Sequence, residues 1–134
     1  MDARQVTDFL EEVWAGSTAH FVIEEVGDRT ARVRMPLTPD RLRPGGIVSG
    51  PALMTLADTA VWIALLGVIG PVAMTVTQSL TIHFLRPTPA ADVIAETRLH
   101  KVGKRLATGD VLMYTPDDPE PVCHAVVTYA IPQS

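Results

Sequence analysis

The chain has 134 residues, with 11 Lys and Arg against 15 Asp and Glu and a net charge of −4. That length fits a single domain spanning 1–134 with a core large enough to fold alone, and the acidic balance excludes the basic footprint of a nucleic-acid binder. The one cysteine, Cys123, excludes an intrachain disulfide and suits a cytoplasmic setting.

The N-terminal stretch MDARQVTDFLEEVW is acidic and amphipathic and lacks the basic start and apolar run of a signal peptide. Within 2–15, Val6, Phe9, Leu10 and Val13 form one apolar stripe, which predicts a short helix. Residues 19–26 and 30–37 read as strands joined by the turn GDR. In the second, Ala31, Val33 and Met35 point one way and Arg32 and Arg34 the other. A loop rich in Pro and Gly follows at 38–46.

The next stretch, 49–67, reads SGPALMTLADTAVWIALLG. Ser49 is a candidate N-cap, Pro51 is tolerated in a first helical turn, and Gly67 with Gly70-Pro71 marks the end. No Asp, Glu, Lys or Arg occurs from Thr59 to Leu85, which raises a membrane span. The run is broken at GVIGP, and the residues after the break are Thr-rich and alternating, so a core helix followed by a core strand is expected, with no membrane contact. Four more strands are predicted at 73–86, 92–101, 105–115 and 121–131. Helix, two strands, long helix, four strands is the order expected of one antiparallel sheet wrapped around a helix that is apolar all round.

Thr55, Asp58, Thr59 and Trp62 fall at i, i+3, i+4 and i+7 on that helix and make one polar stripe. A carboxylate there must be wet, paired or functional, because burying it alone is very costly. GGIVSG leads into the helix, and at Gly50 the free N–H groups of the first turn suit an oxygen that develops negative charge. Gly50 and Asp58 are eight residues apart, roughly 12 Å along a helix axis, too far to act on one carbon. Two such helices packed antiparallel about a two-fold would bring Gly50 of one subunit to Asp58 of the other.

These residues carry a resemblance. SGPALMTLADTA, followed by VTQSLTIHFLRPTPAADVIAETRLHKVGKRLATGDVLMY, resembles the hotdog-fold acyl-CoA thioesterases over roughly 40–131, and most of all the phenylacetate-pathway type. The resemblance implies an α+β hotdog fold, an antiparallel sheet around one long central helix. It implies Asp58 as general base or nucleophile on the thioester, Gly50 as the backbone N–H that polarises the carbonyl, and Thr77 as the hydroxyl that helps hold the attacking water. It further implies a homodimer with shared active sites, usually paired again into a homotetramer, and a CoA thioester as substrate without a cofactor. The chain departs from the pattern twice. Ser49-Gly50-Pro51 stands where the family usually has His-Gly-Gly, and Arg43 where it often has Asn. Ser49 can still donate a hydrogen bond, and Arg43 can bind a carboxylate or phosphate.

Coenzyme A is anionic, so a protein of net charge −4 needs a local basic cluster, for which Arg86 and the turn holding Lys101, Lys104 and Arg105 are candidates. The acyl group is expected along Leu53, Val61 and Trp62. His20, His83, His100 and His124 are scattered over separate strands without ligand spacing, so no metal site is expected. Cys123 and His124 are strand neighbours facing opposite sides, which excludes a catalytic pair. Two further readings stand beside the thioesterase. One is a non-catalytic acyl-CoA-binding protein of the same fold. The other, a hydratase or dehydratase, needs an Asp and a His together at the helix, and the histidines lie elsewhere.

Overall fold

The computed structural model describes residues 1–133. Helix α1 (Ala3–Val13) starts at a capping box in which Asp2 and Gln5 satisfy each other's backbone N–H groups. Strands β1 (Val22–Gly27) and β2 (Thr30–Met35) form a hairpin. A two-stranded ribbon, β3 (Leu42–Arg43) and β4 (Ile47–Val48), leads into helix α2 (Gly50–Ile69). Strands β5 (Val76–Phe84), β6 (Val93–Val102), β7 (Leu106–Tyr114) and β8 (Cys123–Ala130) complete the chain. The main sheet is antiparallel in the order β1-β2-β6-β7-β8-β5.

The sheet wraps α2 because that helix is apolar on every side but the narrow stripe that holds Thr55 and Asp58. Leu56, Ala57, Ala60, Val61, Ile63, Ala64, Leu65 and Leu66 are all fully buried. They meet Val33, Val93, Ala95, Val111, Met113 and Val127 from the inner face of the sheet. By length and hydropathy α2 could cross a membrane; here it is the core helix. On the outer face Arg32 and Arg34 bind Glu24, Glu96 and Asp92, an exposed ladder that adds little stability.

Three expectations are corrected. The first strand starts at Val22, not at 19, because Ser17–Ala19 is a 3₁₀ turn. The Glu11 carboxylate folds that segment back onto α1, accepting from the N–H groups of Gly16 and Thr18 and the hydroxyls of Ser17 and Thr18. Those donors, that of Thr18 above all, hold its carboxyl below the usual range. The loop 38–46 contains β3 and turns into β4 at Ile47, so it is the first part of a ribbon. The central helix runs past Gly67 to Ile69. Gly67 serves packing, since a Cβ there would lie 2.6 Å from Cγ1 of Val26 on β1.

Gly109 on β7 lies against the bulge that β6 makes between Leu99 and Lys101. A Cβ at Gly109 would sit 2.7 Å from the Arg98 carbonyl oxygen and 2.9 Å from Cδ2 of Leu99. Backbone cannot yield as a flexible side chain does, so Gly109→Ala is expected to cost ~1–3 kcal/mol of stability. The check is a lower denaturant midpoint at unchanged m-value.

Candidate active site

Asp58 sits half-buried in the middle of α2, on its open side. Pro51, Met54 and Thr55 are exposed along that side and Trp62 is half-buried. Thr59 is not part of it, being 6% exposed and turned into the core. Leu53 and Val61 are also buried, so neither faces the open stripe where acyl contacts were expected. Trp62 stays on the stripe one turn beyond Asp58, and its buried indole Nε1–H has no acceptor among the described residues.

Two hydroxyls meet the Asp58 carboxylate. Thr77 Oγ1 donates to Oδ1 at 2.6 Å. Tyr129 OH donates to the same Oδ1 at 2.7 Å and lies 2.9 Å from the backbone oxygen of Asp58. Thr77 reaches this point because of a bulge. On β5, Ser79, Thr81 and His83 pair with the outward-facing Thr128, Val126 and His124 of β8. Strict alternation would send Thr77 outward with them. The register slips by one residue between Thr77 and Ser79, so Thr77 pairs instead with Tyr129, on the face that meets α2. Burial pushes the Tyr129 phenol far above its ordinary pKa, and the Asp58 charge adds to this.

Gly50 is the first residue of α2, with Ser49 as its N-cap. The Ser49 hydroxyl oxygen accepts from Ala52 N–H at 3.3 Å, and its proton is still free to donate. A Cβ on Gly50 would meet only the exposed Phe84 ring, at 3.5 Å, an ordinary contact. Within one chain, then, nothing requires glycine at this position. A cleft of about 360 Å³ opens beside it, lined by Trp14, Phe21, Met35, Arg41, Ser49 and Thr55 among others. Arg43 is exposed and donates to the carbonyl of Pro44. Arg41, which the sequence did not single out, is buried and donates to the Pro36 carbonyl and to the Nδ1 and carbonyl of His20.

The basic candidates lie at opposite ends of the sheet. Lys101, Lys104 and Arg105 line a cavity of about 410 Å³ at the β6–β7 turn. That turn is at the Asp58 end, since Ala107 and Thr77 both pair with Tyr129. None of the three is in an ion pair with a described residue. Arg86 follows the far end of β5, the end that meets Gly50, and is already bound to Asp118 at 3.0 Å and to the Glu120 carbonyl at 2.7 Å. Lys101, Lys104 and Arg105 thus lie at the same end of the sheet as Asp58, around the outward-facing Thr108, and Arg86 belongs to the Gly50 end.

The histidines are less scattered than their spacing implied. Asp110 accepts from His100 at 2.8 Å and from His124 at 3.2 Å, and His83 lies cross-strand from His124. They stand on the outer face, beside a cavity of about 540 Å³ that none of Asp58, Thr77 or Gly50 lines. Among the described residues no group of three or more has the geometry of metal ligands. Cys123 is buried and His124 points to the other side. Desolvation pushes the Cys123 thiol up to about 11, which leaves it inert at neutral pH.

Proteins of known structure share this architecture. A crystal structure from Silicibacter sp. TM1040, of a protein provisionally named a thioesterase, is 33% identical, covers 99% of this chain and 93% of that one, and superposes with a TM-score of 0.91. The Escherichia coli PaaI protein from the phenylacetic acid degradation operon is 20% identical, covers 98% of this chain and 96% of that one with a TM-score of 0.81, and shares the fold. A provisionally named esterase of Thermoplasma acidophilum is 26% identical over 91 residues, 68% of each chain. The family model described as Thioesterase superfamily matches residues 45–122, the span that holds Gly50, Asp58 and Thr77. By this match, and by one-third identity over nearly its whole length to a structure with the same sheet wrapped on the same helix, the chain belongs to the thioesterase superfamily and has its hotdog fold.

Proposed function

We propose that the protein hydrolyses an acyl-CoA or aryl-CoA thioester to the free acid and CoA, at a site built by two protomers. The observation that carries this is the Asp58 carboxylate, held by Thr77 and Tyr129 on the open side of α2. Thioester hydrolysis is the activity that the family and its relatives support. The CoA substrate and the roles of the residues go one step further.

The reaction needs a base or nucleophile and a donor for the oxyanion. Asp58 supplies the first and the Gly50 N–H the second. Within one chain the two are too far apart. Strand β5 is an open edge of the sheet, and Met74, Val76, Phe84 and Leu85 along or beside it are exposed apolar side chains. An apolar edge of this kind is a template for another strand. Pairing β5 with the β5 of a second copy, antiparallel about a two-fold, brings the Phe84 end of one strand beside the Val76 end of the other. Gly50 of one protomer then approaches Asp58 of its partner, and Arg86 of the first approaches the basic turn of the second. Two equivalent sites result. A homotetramer is the further assembly proposed, with the cytoplasm, where a free thiol persists, as the setting.

In this site the carbonyl oxygen lies against the Gly50 N–H and the acyl group enters the cleft lined by Trp14, Phe21 and Met35. Ser49 and Arg43 stand at the mouth, and Lys101, Lys104 and Arg105 take the phosphates of CoA. Water is activated by Asp58, attacks the carbonyl carbon, and the C–S bond breaks to give acid and thiol. No cofactor is involved.

The test is release of free CoA thiol from a panel of acyl- and aryl-CoA esters. Asp58→Asn is expected to lower kcat by ~10²–10⁴-fold with the oligomer intact. A wild type that binds the esters and cleaves none would replace this reading with that of a binding protein. Replacing Lys104 and Arg105 together by Ala should raise KM for CoA esters and leave kcat little changed, the signature of lost phosphate binding. The wild-type KM should also rise with added salt, which the double variant largely loses.

A further inference from the structure

We propose that Tyr129 is a positioning residue for this hydrolysis: it fixes Oδ1 of Asp58 so that Oδ2 is the oxygen that reacts. The proposal rests on the thioesterase reading above.

The carboxylate is unevenly used. Oδ1 receives both hydroxyls, at 2.6 Å from Thr77 and 2.7 Å from Tyr129, and Oδ2 has no donor among the described residues. An oxygen that accepts two hydrogen bonds has its lone pairs occupied. Oδ2 keeps its own, on the open side of the helix. It therefore takes the proton as the water oxygen bonds to the carbonyl carbon. When the C–S electron pair leaves with sulfur, that proton is returned to the thiolate, and acid and free thiol are the products.

A purely structural tyrosine would not need this contact. Tyr129 is 4% exposed, and a buried phenol must find a partner. The Asp58 backbone oxygen at 2.9 Å would be enough to take the phenol's one proton, yet the closer acceptor is Oδ1 at 2.7 Å. The second, shorter contact to Oδ1 brackets Asp58 from its backbone and its side chain with one phenol oxygen. Tyr129 sits on β8, held between β7 and β5, so the bracket is carried by a strand paired on both sides rather than by a loop. Its neutral phenol remains a donor at working pH and does not compete as base.

Tyr129→Phe removes the hydroxyl and keeps the ring that fills the core. The expected result is a kcat lowered roughly 10- to 100-fold with KM within about twofold. The Asp58 carboxyl carbon resonance, followed by NMR at a single pH without substrate, shifts in the variant because Oδ1 has lost a donor. A kcat within twofold of wild type overturns the proposal, and so does an unmoved carboxyl resonance. A wild type without turnover on any ester removes the thioesterase reading and the catalytic role with it. The carboxyl resonance, which needs no turnover, shows separately whether the hydroxyl acts on the carboxylate.

Discussion

An ionised carboxylate on an otherwise apolar helix persists only where donors meet it and water can reach it. In this chain the donors are Thr77 and Tyr129, on β5 and β8, and both converge on Oδ1 of Asp58. That contact ties the middle of the core helix to the open edge of the sheet. The bulge on β5 turns Thr77 inward, and β8 carries Tyr129 beside it. The helix also keeps one side uncovered where Asp58 and Trp62 lie. The rest of α2 is ordinary core, buried by the sheet that wraps it.

The same geometry accounts for what a single chain lacks. The Asp58 end of the sheet has a carboxylate and three cations that pair with no described residue, and the other end has a helix start, an uncovered backbone position and an aromatic cleft. Each end holds what the other needs. An edge strand with apolar side chains along it offers the antiparallel pairing that would join them, in the manner of any isologous contact. In the proposed dimer the exposed Phe84 ring beside Gly50 would lie in the junction.

Much of this was legible in the sequence. The core helix could be placed from Ser49, Pro51 and Gly70 and from its nearly continuous apolar run, and Asp58 stood out as its one charge. Gly67 misled, because a glycine near a helix end reads as a stop when here it makes room for Val26. Thr77 was reachable only through family resemblance, since alternation along β5 puts it on the wrong face and no residue type announces the bulge. Tyr129 was missed because it lies 71 residues from Asp58 and sits in a stretch that reads as plain strand. The His83–His124–Asp110–His100 group was missed for a like reason, as β5 and β6 come to flank β7 and β8 only through the order of the sheet. Arg41 and Arg43 look equivalent in a Pro- and Gly-rich loop, and only the fold buries one and exposes the other.

The central claim is that one protomer's carboxylate works with the other's helix start, and complementation tests it most directly. Two differently tagged chains, Asp58→Asn and Gly50→Pro, are produced together and the mixed oligomer is isolated. Proline suits the first helical position and deletes the N–H in question. Each parent alone should be inactive. In the mixed dimer one site collects both defects and the other is intact, so CoA release should recover to about half that of the wild-type dimer. A mixed oligomer as inactive as its parents, beside an active wild type, would contradict the shared site.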